Sequence, residues 1–287
     1  MEILTTFLFF IFGTIVGSFL NVVILRFNTG GTLGGRSHCF TCGKDIAWYD
    51  LVPLWSFLFL GGTCRFCKSK ISFQYPLVEF LAGLIFAISF CQFSPQVSLL
   101  GLYHTTDYLL FSISLIIYSL LIVIAVYDFR HQIIPDLLVF LFAIFALLKL
   151  FLMNDVSALF MFPGLLNLLA GPLLALPLFL LWLVSRGRWI GLGDAKLMLG
   201  VGWFLGFTLG ASAMIIGFWI GALVSVLLLG LGKLMKASFG QFLGLSFSLK
   251  NLTIKSEVPL APFLILGFFI AAFFKIDVLG LSSMFSI

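Results

Sequence analysis

The chain has 287 residues, of which 62% are hydrophobic and 9% charged, with 36 phenylalanines and a mean hydropathy of +1.21. A soluble domain carries about 25% charged residues, so the composition excludes one and requires a protein embedded in a bilayer. The formal net charge of +5 matters less than which loops hold the few charges, and it supports no nucleic-acid partner.

Roughly 20 apolar residues span a hydrocarbon core, and fewer suffice when a helix is tilted or buried among others. Eight such windows follow in chain order: 3–25, 77–93, 108–126, 137–153, 165–184, 190–209, 211–231 and 258–274. The expected fold class is an all-α integral membrane protein with about eight transmembrane helices. The first window lacks a basic leading segment and a small-residue cleavage site, so it is read as a retained helix rather than a signal peptide. Gly13, Gly17 and Asn21 recur at i, i+4 and i+8 there, giving one small and polar face for close packing. Of the 16 Lys and Arg, 14 fall within 26–75, 127–136, 185–196 and 232–257, leaving only Lys149 and Lys275 on the other side. The positive-inside rule then places those four segments in the cytoplasm and both termini outside.

The first cytoplasmic segment is the only one long enough to form a separate small unit. It divides the chain into a first helix (1–25), a loop (26–76) and a seven-helix core (77–287). Within the loop, "HCFTCGKD" and "GGTCRFCKSK" place Cys39, Cys42, Cys64 and Cys67 in two C-x-x-C pairs, separated by 21 residues. A C-x-x-C turn aims two sulfurs at one point, and Gly43 lets the backbone fold back toward them. A reducing compartment disfavours disulfides, so a structural zinc ion held by four thiolates is expected. His38 beside Cys39 is expected at the surface, and Cys91, alone in the second window, is expected to pack. "TGGTLGGR" lacks the Gly-Lys-Ser/Thr ending of a phosphate loop.

Charged residues inside the windows are few and therefore informative. Asp128 follows the third window in "VYDFRHQIIPD", and Asp194 opens the sixth in "GLGDAKLMLG". The alternation of sides puts both at cytoplasmic helix ends, where they can meet. Two carboxylates held close in a partly dry site share one proton. Such a pair activates a water and protonates a leaving amine, as aspartic proteases do. Gly191 and Gly193 are expected to leave room for an extended substrate backbone beside Asp194. Other readings stay open at this point, because membrane carboxylates also pair with bases, line transport paths or cap helices. Asp136 after Pro135 reads as a cap, Lys196 as a side chain snorkelling to the interface, and Asp107, Asp155 and Asp277 as solvated loop residues. Glu79, costly in the second window, is a candidate for function or for a buried hydrogen bond.

These segments together resemble the type IV prepilin peptidase family. The likeness covers nearly the whole chain: "GSFLNVVILR" at 17–26, both Cys pairs, "LVPLWSFLFLGGTCRFC" at 51–67, "ISFQYPLVE" ending at Glu79, "DFRHQIIPD", "GLGDAKL" and "VPLAPFLILG". The resemblance implies a bifunctional enzyme of the bacterial cytoplasmic membrane. It removes a short basic leader from prepilins or pseudopilins, then methylates the new N-terminus from S-adenosylmethionine. It implies that Asp128 and Asp194 are the catalytic pair and that the four cysteines hold zinc. With no Rossmann fingerprint present, the methyl-donor site is expected at the loop and its junction with the first two helices, including Asn21, Arg26 and Glu79. Asp50 and Glu79 are expected to attract the basic leader. Asn28 stands where relatives usually carry Pro. Two rivals share some features: a presenilin-like G-x-G-D protease, whose Pro-Ala-Leu motif this chain replaces with Pro259-Leu260-Ala261-Pro262, and an ion-coupled transporter, whose internal repeats are not evident.

Overall fold

The protein is described here by a computed structural model, covering residues 2–28, 34–100, 105–162, 164–234 and 259–280. The Gly-rich run at 29–33 and the basic segment at 235–258 lie outside the described residues. Water is absent from a bilayer core, so a spanning chain must satisfy its backbone groups internally, and a helix does this within one segment. The described chain is accordingly helical: α1 (Glu2–Arg26), α2 (Trp55–Phe59), α3 (Gln74–Leu100), α4 (Thr105–His131), α5 (Asp136–Met153), α6 (Val156–Leu159), α7 (Gly164–Ser185), α8 (Leu192–Leu234) and α9 (Ala261–Phe274). Six of them are long and apolar enough to cross a membrane, so the chain is a multi-pass membrane protein.

The 43 residues of α8 would form a straight rod about 65 Å long at 1.5 Å per residue, twice the hydrocarbon thickness. The helix does not run straight. Gly206 takes φ 76, ψ 179, and a Cβ on Gly210 would lie 3.6 Å from the Cα of Gly202. Residues eight apart meet in this way only if the chain doubles back. The sixth and seventh windows are thus the two arms of a hairpin whose apex needs a residue without a side chain. With α9, the helices supply the eight apolar segments read from the sequence.

The described residues form two compact units. In the first, which ends near residue 101, α1 packs on α3 and the loop joins them. The predicted small face makes this contact: a Cβ on Gly13 would lie 2.6 Å from Ala82 O, and one on Gly17 2.7 Å from the Cα of Glu79. The buried Asn21 donates to Tyr75 O at 3.1 Å and to Gly17 O at 3.3 Å, and accepts from Gln74 Nε2 at 3.4 Å. Asn28 leaves α1 with φ 57, a left-handed conformation closed to proline, whose ring locks φ near −65°. The chain therefore leaves this helix by a path that Pro could not take. Cys91, expected to pack, is exposed on α3, with its sulfur 3.5 Å from the Thr6 hydroxyl.

In the second unit α4, α5, α7, α8 and α9 pack together. Tyr118 of α4 is ringed by Phe204, Phe268, Phe269 and Phe273, and Lys149 Nζ sits 3.8 Å from the centre of the Phe204 ring, an electrostatic partner for a cation in an apolar place. Asp277 departs from its solvated reading. Its Oδ1 accepts the Leu279 amide at 3.2 Å and lies 3.5 Å from the Ser212 hydroxyl, which itself accepts the Val278 amide at 3.1 Å. This ties the segment after α9 to α8.

The contact of α1 with α3 gives a direct test. Gly17→Val should force the helices apart and destabilise the protein by about 1–3 kcal/mol, the usual cost of overpacking. The expected readout is a lower unfolding temperature in detergent, and an unchanged one would contradict the packing.

Candidate functional site

The second unit gathers its polar groups where four helices begin or end. Asp128 lies three residues before the end of α4, and Asp194 is the third residue of α8. Both are buried, at 4% and 6% exposure, and they are close enough for their charges to act on one another. The backbone amide of Ala261 donates to Asp128. Ala261 is the first residue of α9, so this amide is one of the donors that a helix cannot satisfy within itself. The Gly191 amide donates to Asp194. Asp128 Oδ2 and Asp194 Oδ1 are buried without a hydrogen-bond partner. A buried carboxylate oxygen left so is costly, and this pair is placed to receive a water or a peptide group.

Local chemistry explains the approach of these helices. α4 stops where Gln132 turns to φ 54 and its amide donates back to Asp128 O at 2.7 Å. The chain then turns through Ile134 and Pro135 into α5. A Cβ on Gly193 would lie 2.8 Å from the Cβ of Ile134, so the space expected there for substrate is filled by the protein itself. Gly191 keeps its place beside Asp194, since a Cβ there would lie 3.3 Å from Oδ2. The N-cap position of α5 is Pro135, whose side chain makes no capping hydrogen bond, and Asp136 is the first residue of the helix. Asp136 accepts from Lys196 Nζ at 2.7 Å, an ion pair that links the starts of α5 and α8. The lysine read as snorkelling thus has a partner, on a neighbouring helix rather than on its own.

The loop of the first unit folds around sulfur. The ligand atoms of Cys39, Cys42, Cys64 and Cys67 all lie within 4.8 Å of one another, and Cys39 and Cys67 sulfurs are 3.8 Å apart. A tetrahedral zinc site with Zn–S near 2.3 Å has S–S edges of about 3.8 Å, so the cluster fits a structural metal. Two matching turns build it. The Cys39 amide donates to Lys44 O and the Gly43 amide to Cys39 O; the Cys64 amide donates to Ser69 O and the Lys68 amide to Cys64 O. Gly43 (φ 68) and Lys68 (φ 57) occupy the same left-handed step, and isolated bridges His38–Asp45 and Thr63–Lys70 close the turns. His38 is exposed, as expected.

The thiols are electrostatically uneven. Backbone amides of Cys42 and Thr41 and the Ser69 hydroxyl bring Cys39 down to about 6. The Lys44 amide also favours the Cys42 thiolate, yet desolvation and the neighbouring Cys39 and Cys67 push it up to about 11. Four sulfurs this close form a set that a divalent cation would hold as thiolates.

Asn21, Arg26 and Glu79 lie at the junction of loop and helices. Arg26 donates to Gly34 O at 2.7 Å and Arg36 O at 3.3 Å. The buried Glu79 accepts the Leu54 amide at 2.8 Å and the Ser18 hydroxyl. The Asn21 amide is spent on holding α1 to α3, whereas the Glu79 carboxylate, which offers about four lone-pair sites, keeps capacity beyond these donors. Leu54 takes φ 63, ψ −50, a conformation rare for a residue with a side chain, and its bond to Glu79 holds it there. Asp50 does not await a basic ligand: Arg65 grips it at 2.8 and 2.5 Å and holds its carboxyl below the usual range. Sequence reading missed Ala261 and Ile134. Pro259 and Pro262 around Ala261 were the available signal, because proline favours helix starts.

Comparison with known proteins gives two family matches: residues 11–93 match the bacterial peptidase A24 N-terminal domain, and residues 115–226 match the type IV leader peptidase family. A prepilin leader peptidase/N-methyltransferase of Bacillus subtilis (strain 168) is 31% identical over 79% of this chain and 84% of its own length. One from Klebsiella pneumoniae is 33% identical over 69% of this chain and 84% of its own. One from Myxococcus xanthus (strain DK1622) is 39% identical over 44% of this chain, and the match spans 34% of that relative. No solved structure gave a significant match.

The metal centre is tested by zinc analysis. Purified protein should carry one zinc per chain, and Cys39→Ser or Cys64→Ser should lower the content. Acidification should release the ion as the thiolates take up protons. Full zinc in a variant without these four cysteines would refute the site.

Proposed function

The chain belongs to the type IV leader peptidase family, and on that premise we propose that Asp128 and Asp194 cleave the leader of a prepilin or pseudopilin at the cytoplasmic membrane face. The observation that carries this reading is the pair of buried carboxylates on two helix ends, each with one oxygen lacking a partner. One carboxylate takes a proton from water as its oxygen attacks the scissile carbonyl carbon. The other gives its proton to the leaving nitrogen as the C–N bond breaks. The Ala261 and Gly191 amides keep the two carboxyl groups oriented through the step. The products are a free leader carboxylate and a new pilin amine. A pilin whose apolar helix lies in the bilayer brings its basic leader to this depth. Because Arg65 already neutralises Asp50, that leader is not held by Asp50.

The first unit serves the second activity. S-adenosylmethionine, when bound, supplies a methyl group to the new amine. We assign its binding to the junction of loop and helices near Asn21, Arg26 and Glu79. There Glu79 is the residue with spare acceptor capacity, while Asn21 and Arg26 hold the surrounding backbone. The zinc ion keeps the loop folded and touches no substrate, since a closed four-thiolate shell has no open position. The two compact units part near residue 101, which supports counting α3 with the loop in the methyl-transfer part.

Two measurements test the reading. Asp128→Asn and Asp194→Asn should each slow leader removal by about 10²–10⁴-fold, as when a general acid or base is lost, while an already cleaved pilin should still be methylated. Normal cleavage by both variants would reject the dyad. A reporter fused after Ser69 should report cytoplasm, and one after Ser94 the exterior; the same side for both would overturn the orientation.

A further inference from the structure

The loop that carries the four cysteines also presents an apolar face that none of the described residues of its own unit covers. Along α2 the side chains divide. Phe57 turns inward, its ring 6.2 Å from that of Phe73, and a Cβ on Gly62 would meet it at 3.0 Å. Trp55, Leu58 and Phe59, at i, i+3 and i+4, turn outward with 61%, 71% and 83% of their surface exposed, and the Trp55 and Phe59 rings stack at 6.0 Å. Three contiguous large apolar side chains on one side of a short helix require a covering partner.

The depth of this face identifies the partner. Leu54, the residue before α2, donates its amide to Glu79 Oε2, and Glu79 is the sixth residue of the membrane helix α3. At 1.5 Å per residue that point lies roughly 8 Å along α3 from its start. The tie is firm, because it fixes Leu54 in a backbone conformation it would not otherwise take. α2 therefore begins level with the end of the α1–α3 pair, not out in water. The layer at that level is the boundary of headgroups and acyl chains, where Trp and Phe are favoured. Lys68 and Lys70, exposed on the same loop, add cations suited to acidic headgroups.

We propose that the Trp55, Leu58 and Phe59 face of α2 is seated in the lipid bilayer, so that the metal-binding loop is an interfacial module and not a domain free in water. Burial of this face, the Leu54–Glu79 bond and the two flanking spans together fix the height of the loop above the hydrocarbon. The inference rests on the geometry of the first unit alone and holds whichever reaction the loop serves.

The test uses the full chain, zinc-loaded, in vesicles of phosphatidylethanolamine and phosphatidylglycerol without pilin. A benzophenone amino acid replacing Phe59 should form adducts with phospholipid on illumination, seen as a mass increase of one lipid. Cross-links to peptides of the same chain or of a second copy, or no adduct, would overturn the proposal. Should that variant lose its zinc, the unlabelled protein gives an independent answer. The emission that disappears in Trp55→Phe should be strongly quenched by lipids brominated on the upper acyl chain. Equal Trp55 emission with and without bromine would overturn the proposal.

Discussion

A bilayer offers no water to a peptide group or a carboxylate, and the rest of this structure follows from that constraint. Backbone groups that cannot turn to solvent close into helices. Helices in lipid associate by close packing rather than by hydrophobic exclusion, so glycine marks their contacts. In the first unit Gly13 and Gly17 let α1 approach the backbone of α3, and in the second a Cβ on Gly202 would lie 2.5 Å from Ala170 O. The same constraint makes each buried polar group significant. Lys149 rests on an aromatic face, Asn21 joins two helices, and Glu79 holds a loop amide.

Asp128 and Asp194 depart from this pattern, since each keeps an oxygen without a partner. Their surroundings are nevertheless built with care. One accepts the first amide of α9 and the other the Gly191 amide, while Ile134 fills the space beside Gly193. Helix ends are the natural place for such a site in a membrane, because they supply backbone donors that the helix itself leaves free. In the proposed reaction they are also where a water-borne leader and a lipid-borne helix would come together. The Lys196–Asp136 pair, two residues from Asp194, links the helices on the exposed side of this arrangement.

The loop of the first unit solves a different problem. It is too short to bury a core of its own, and a metal held by its four cysteines would replace the missing apolar burial. Its two turns repeat one geometry, with Gly43 in the first and Lys68 in the second at the same left-handed step. The second turn therefore carries a strain that the first avoids. Arg65 grips Asp50 across the loop, and the Leu54 amide bonds to Glu79, so the four-cysteine loop is tied to the membrane helix α3 by a hydrogen bond.

The sequence by itself determined the membrane class, the apolar segments, the two thiolate turns and the pair of aspartates, because each is a local matter of composition or short spacing. It also indicated the α1 face, since the i, i+4, i+8 pattern of Gly13, Gly17 and Asn21 is a property of one helix. It could not show that α8 is a hairpin around Gly206, because a glycine in an apolar run reads alike whether the chain continues or turns. Nor could it assign partners across the chain: Arg65 to Asp50, Lys196 to Asp136, Ala261 to Asp128 and Leu54 to Glu79 all join elements whose meeting depends on packing. Local pattern decides which groups a segment must bury, but only the tertiary structure decides which other segment receives them, because a hydrogen bond is a matter of distance in space and not along the chain.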